Sequence, residues 1–125
     1  MMNMTQPKKT LVVGATEKRD RYANRAAHSL LQRGHEIELL GLKEGQVEGH
    51  LIRTGQPELT DIDTVTMYVG ARNQPNLYEY IRGLKPRRVI FNPGAENPDF
   101  ARQLQSDGIE PINACTLVML SVGTY

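Results

Sequence analysis

Residues 10–34 read TLVVGATEKRDRYANRAAHSLLQRG, and their pattern decides the class of fold. Residues 10–14 are a short apolar run closed by glycine, the signature of a strand buried on both faces. Beyond a charged loop, Ala23, Ala26, Ala27, Leu30 and Leu31 fall at i, i+3, i+4, i+7 and i+8, one continuous helical stripe. Gly34 stands where a left-handed C-terminal cap is expected. A strand, a tight turn and a helix in this order suit a phosphorylated cofactor. The loop nevertheless has one glycine where a dinucleotide fingerprint has three, and it carries Lys18, Arg19 and Arg21.

Working outward, residues 36–42 (EIELLGL) read as a second strand and residues 64–69 (TVTMYV) as a third. Residues 43–63 between them are glycine-rich and polar, with a short extension expected around 50–53 and a turn at Gln56–Pro57. A helix over 75–84 begins with proline at its first position and carries the stripe Leu77, Tyr80, Ile81, Leu84. Residues 88–92 (RVIFN) form a fourth strand. Asn97 and Pro98 predict a capped helix start, Phe100 and Leu104 its buried side, and Gly108 its stop. A fifth strand is expected over 109–113 and a short apolar helix over 115–121.

Alternating strands and helices with short connections imply a parallel sheet. The expectation is an α/β, Rossmann-like, doubly wound domain of about five strands in three αβα layers. It occupies residues 9–125, after a frayed N-terminus over 1–8. At 125 residues the chain suits one core and needs no disulfide or metal to fold. A net charge of +1 gives nucleic acid or an acidic membrane no global attraction. One cysteine, Cys115, excludes an internal disulfide and suits a reducing cytosol. No apolar run approaches a membrane span, and the polar start does not resemble a signal peptide. The three histidines show no metal-ligand spacing, so a cytoplasmic chain without nucleic-acid, membrane or metal partners is expected.

In a sheet of this kind ligands bind beyond the carboxyl ends of the strands, where the strand order reverses. After the first strand, Gly14 permits a tight turn, and N–H groups near Ala15 and Thr16 can face an anion. The helix start near Tyr22–Asn24 adds unpaired N–H groups and a positive dipole end. Lys18, Arg19, Arg21 and Arg25 add side-chain charge, although a solvated charged loop would look the same. After the second strand, Lys43 stands where an acid would meet a free ribose diol. That favours a phosphorylated ribose, such as that of coenzyme A (CoA) or NADP, while Glu44 or simple solvation remains an alternative. Pro93, Gly94 and Glu96 follow the fourth strand. Cys115 reads either as a packed core residue or as a thiol at the crevice mouth.

LVVGATEKRDRYANRAAHSLLQRGHEIELLG and VIFNPGAENPDFARQLQSDGIEPINACTLVML together resemble the small stand-alone CoA-binding proteins. These are similar to the N-terminal nucleotide-binding domain of the succinyl-CoA synthetase alpha subunit. The resemblance spans about residues 9–123, and NPGAENP and ACTLVML are its most specific parts. It implies CoA across the carboxyl edge, with Gly14, Ala15, Thr16 and the helix start near Asn24 facing the phosphates. Lys43 would lie near the adenosine, Val69 and Gly70 beside the adenine or pantetheine, and Pro93, Gly94 and Glu96 further along. Many members end the second strand with Asn-Pro, where this chain has Gly41, Leu42 and Lys43. The phosphate-carrying histidine of the ligase belongs to a second domain, which implies a cofactor grip without catalytic machinery.

The leading expectation is therefore a CoA or acyl-CoA binding module with no catalytic residue of its own. It would hold phosphate through Gly14, Ala15, Thr16, Arg19, Arg21, Tyr22 and Asn24, and act with an enzyme partner or as a homodimer. The alternatives are an NADP-dependent oxidoreductase, for which no proton donor is evident, and a redox protein forming a CoA mixed disulfide at Cys115. Pure assembly through an apolar surface is a further reading.

Overall fold

A computed structural model describes residues 6–125. Seven strands form one sheet: β1 (Thr10–Val13), β2 (Ile37–Leu40), β3 (Gly45–Val47), β4 (His50–Arg53), β5 (Thr64–Met67), β6 (Arg88–Phe91) and β7 (Glu110–Asn113). Their order is β3-β4-β2-β1-β5-β6-β7. All neighbouring pairs are parallel except β3 with β4. The strand order reverses at β1, which lies between β2 and β5. This is the α/β Rossmann-like fold expected, with seven strands where about five were anticipated. The residues at 50–53 are a true strand, and β3 is a three-residue partner too short and too polar to carry a pattern. A left-handed pair, Glu48 (φ 50°) and Gly49 (φ 80°), turns the hairpin.

Four helices complete the layers: α1 (Tyr22–Gln32), α2 (Tyr78–Leu84), α3 (Pro98–Ser106) and α4 (Thr116–Val122). Side chains alternate across each strand, so the sheet has two packed faces. Leu11, Val13, Val65, Met67, Val89 and Phe91 meet Ile81 of α2 and Phe100 and Leu104 of α3. On the other face, Val12, Leu39 and Ile90 meet Ala23, Ala27 and Leu30 of α1 and Leu120 of α4. The alanines bring α1 close to the sheet, as its sequence implied. The helix expected from Pro75 begins later. Pro75–Leu77 forms a 3₁₀ turn, closed by the Leu77 N–H on the Gln74 carbonyl at 2.7 Å, and α2 starts at Tyr78. Asn97 caps α3 as anticipated, its side chain accepting from the Phe100 N–H at 3.0 Å.

At the amino ends of the strands a buried polar cluster binds distant segments. Arg88 donates to the Thr64 hydroxyl at 2.9 Å and to the Tyr125 main-chain oxygen at 3.1 Å, and its guanidinium lies 4.5 Å from the Tyr125 ring centre. The Tyr125 hydroxyl meets that of Thr10. The Lys8 N–H donates to His35 Nδ1 at 2.9 Å. The frayed segment expected over residues 1–8 lies mostly outside the described residues.

Candidate functional site at the carboxyl edge

The first loop sits over the point where the strand order reverses. Gly14 has a φ of +98°, and a Cβ there would stand 3.2 Å from Tyr68 Cβ and 3.3 Å from Val69 Cγ2. Glycine is thus required both by conformation and by the approach of the loop after β5. The N–H groups of Gly14 and Ala15 both donate to the Leu40 carbonyl at 2.9 Å, which seats the loop on β2. Asn24 is buried, and its amide donates to the Thr16 carbonyl at 2.8 Å, tying the loop to α1. Thr16 Oγ1 accepts from the Lys18 N–H at 3.2 Å.

With Gly14 and Ala15 turned toward Leu40, the donors open to an anion are those that follow. Among the described residues, the N–H groups of Thr16 and Glu17 donate to no protein acceptor. Arg21 is the N-cap residue of α1, and no side chain caps that helix start. Helix starts left this way carry unsatisfied donors and a partial positive charge.

Charge on this edge follows the same arrangement. Lys18, Arg19, Arg21, Arg25 and Lys43 are exposed, and among the described residues none is in an ion pair or donates a side-chain hydrogen bond. Arg82, Arg87 and Arg102, located elsewhere, are each paired with an aspartate. The loop's first acid is drawn away: Glu17 Oε2 accepts from the Gln46 N–H at 2.9 Å and packs on Gly45. Tyr22 is 65% exposed, with the Arg25 guanidinium 5.4 Å from its ring centre.

The second loop carries Lys43 beside a fully exposed Leu42. Gly41, one of the positions departing from Asn-Pro, lies against the Ala15 carbonyl oxygen, so the two loops are in direct contact. Val69 and Gly70 follow β5, and Val69 stands next to Gly14. Pro93 and Gly94 form an exposed turn after β6, with Gly94 at φ +94°. Glu96 folds back into this turn, accepting from the Gly94 N–H at 2.9 Å. The topology therefore puts the loops after β1, β2, β5 and β6, which carry these residues, at the carboxyl edge of the sheet, and the first of them touches those after β2 and β5.

The sequence does not reveal that several polar residues here are buried. Asn92 is buried at the end of β6. Its amide donates to the Thr66 hydroxyl at 2.8 Å and the Met67 carbonyl at 2.9 Å, while Oδ1 accepts from the Thr116 N–H at 2.9 Å. Asn92 thereby caps α4 from a neighbouring strand. Thr66 and Thr116 hydroxyls meet at 2.8 Å. Gln74, wholly buried, bonds to the loops after β5 and β6. The Tyr68 hydroxyl is buried without a hydrogen-bond partner among the described residues. Burial pushes its pKa up to about 12, and the nearby Thr66 and Thr116 hydroxyls offset this only in part. Cys115 is half-buried at the N-cap position of α4.

A groove of about 770 Å³ runs along the opposite, amino edge, lined by residues that include Arg82, Lys85, Pro86 and Asp107. Arg82 there is held by both oxygens of Asp107, and the groove shares no residue with the loops above. No helix of the described residues is long and apolar enough to cross a membrane.

The sequence pattern of the CoA binding domain matches residues 8–121. The chain belongs to the CoA-binding domain family. A solved structure of an uncharacterized protein is 49% identical to this CoA-binding domain, covers 97% of it and 100% of the other chain, and superposes with a TM-score of 0.95. A hypothetical protein from Pyrococcus horikoshii OT3 is 21% identical over 95% of this chain and 85% of its own, with a TM-score of 0.85. A conserved hypothetical protein from Pyrococcus furiosus is 23% identical over 90% and 98%, with a TM-score of 0.75. The latter two likenesses are likenesses of fold. Among curated proteins, none matches the chain.

Proposed function

We propose that this CoA-binding domain holds CoA or acyl-CoA across the carboxyl edge of its sheet, as a cytoplasmic ligand-binding module without catalytic machinery of its own. The observation that carries the reading is the uncapped start of α1 beneath unpaired cations at the reversal point of the strand order. Phosphate would lie against Thr16, the α1 start near Tyr22 and Asn24, and the Arg19 and Arg21 side chains. Gly14 and Ala15 then contribute by seating the loop, their own N–H groups being directed to Leu40. Lys43 would meet the phosphorylated ribose of the adenosine end. Val69 and Gly70 would flank the adenine or the pantetheine arm, and Pro93, Gly94 and Glu96 would line its further course. The module would deliver or sense the cofactor for an enzyme partner or as a homodimer.

Isothermal titration with CoA, dephospho-CoA and NADPH tests the reading. Binding of CoA that weakens without the 3′-phosphate supports it and gives Lys43 or the arginine loop that phosphate. Preference for NADPH would move the protein to the oxidoreductase reading. Absence of CoA binding at about millimolar concentration, where affinity would be only about 4 kcal/mol, overturns it.

A further inference from the structure

Gln74 lies between two 3₁₀ turns, a setting in which glutamine is ordinarily solvated, yet it is wholly buried. Its amide is fully engaged. Nε2 donates to the Val69 carbonyl and to the Ala95 carbonyl, each at 2.8 Å. Oε1 accepts from Asn97 Nδ2 at 2.9 Å. Val69 belongs to the loop after β5, and Ala95 to the turn after β6. Asn97 caps α3, and its Nδ2 also donates to the Tyr78 hydroxyl on α2 at 2.8 Å.

One side chain thus links both loops to the starts of two helices. A purely space-filling residue would leave the buried bond to the Ala95 carbonyl and the half-buried one to the Val69 carbonyl unmade, which is costly. Two carbonyls bonded to one amide nitrogen are also held at a fixed separation, because the nitrogen offers two hydrogens in a rigid plane.

We propose that Gln74 is a positioning residue that sets the spacing between the two loops and, through it, the affinity for CoA. The second half of the proposal rests on the reading of this edge as the CoA site. Gln74 itself need not touch the ligand. Its contribution is preorganisation: loops already held at the bound spacing have less order to gain on binding.

The test compares Gln74→Met, close in volume and without polar atoms, with Leu104→Ala, a core variant on the inner side of α3. CoA titration is read alongside amide hydrogen exchange in the absence of ligand. Gln74→Met is expected to weaken CoA binding by about tenfold relative to Leu104→Ala, once the denaturation midpoints of both are known. It should also speed exchange at Asn73 and Ala95 while Val65 and Ile90 in the strands stay protected.

Equal affinity in the two variants, or unchanged exchange at the loops, overturns the proposal. Should Gln74→Met fail to fold, Asn97→Asp keeps a side-chain oxygen to cap α3 and removes the donor to Gln74, and the same two readouts apply. Wild-type protein that does not bind CoA overturns the ligand half together with the reading of the site. Loop exchange then decides the spacing role by itself.

Discussion

The carbonyl oxygen of Ala15 occupies the space in which a side chain on Gly41 would begin. A Cβ on Gly41 would overlap that oxygen and stand 2.9 Å from Ile52 Cγ2. Gly41 has no left-handed φ, so its requirement is one of room alone. Gly41→Ala should destabilise the fold by about 1–3 kcal/mol, as an overpacked substitution does, and shift the first loop. Gly83 in α2 is the contrast, with nothing within 4 Å of a Cβ. Gly83→Ala should stabilise by about 0.5–1 kcal/mol. Urea midpoints of the two variants check both signs, and a Gly41→Ala chain as stable as wild type would show the loops are not seated this way.

Arg21 stands at the N-cap of α1 with extended backbone (φ −87°, ψ 143°) and no side-chain cap. Serine or aspartate at such a position accepts from the N–H groups of the first turn and stabilises by about 0.5–2 kcal/mol. Arg21→Asp should therefore raise Tm and weaken CoA binding, because it fills the donors and replaces a cation with an anion. Arg21→Ser should raise Tm with a smaller loss of affinity. Tm and CoA affinity moving in the same direction in Arg21→Asp would count against a phosphate at this helix start.

Removing the unpartnered Tyr68 hydroxyl should not harm the fold. Tyr68→Phe is expected to gain up to about 1 kcal/mol in a urea titration, since the group is desolvated without return. Because its pKa is raised to about 12 in the folded protein, the fold tolerates the neutral hydroxyl better than the phenolate, and stability does not depend on this group's titration below pH 10. Stability falls as pH rises from 10 toward 12, where the unfolded chain ionises this tyrosine and the folded one does not. Tyrosinate absorbance should show this hydroxyl titrating late, and Tyr68→Phe should remove one late-titrating group.

His35 is 4% exposed and accepts from the Lys8 N–H, which requires a neutral Nδ1. Burial first, then the Lys8, Arg88 and Arg33 charges, hold its pKa below the usual histidine value of 6.5, with Asp63 opposing. A base with a depressed folded pKa is protonated more readily when unfolded. Stability is thus complete above pH 6.5 and declines as pH falls below it toward the folded pKa. Urea midpoints measured across that window should fall on acidification, and His35→Gln should flatten the slope. An equally steep slope in His35→Gln would assign the acid sensitivity elsewhere.

Much of this architecture is written in local pattern. The Ala23–Leu31 stripe, Gly34, Asn97–Pro98 and Gly108 mark their helices because apolar period and capping chemistry are short-range properties. The hairpin of β3 and β4 is less legible. Glu48–Gly49 is a hairpin turn, but three residues of β3 cannot show alternation. The candidate edge was located through strand ends alone, since each loop residue needed only to follow its strand. The buried roles of Gln74, Thr66 and Asn92, the last already on the edge through NPGAENP, are invisible for the opposite reason. Their partners lie on other segments, at separations of 5 to 50 residues, so only the assembled sheet reveals that these polar side chains are buried and satisfied.

Both rims of the sheet bear on how the protein behaves at high concentration. Open strand edges invite a second chain to add on. At one rim, β3 is only three residues long. At the other, the Glu110 and Ala114 N–H groups point inward to β6, donating to the Arg87 and Phe91 carbonyls. Alternate residues of β7 therefore point outward, and the first of these is Pro111, which has no N–H to offer. Of the outward backbone donors of β7 only that of Asn113 is left. A single donor cannot template a ladder, so the long parallel sheet ends in a border unsuited to fibre growth.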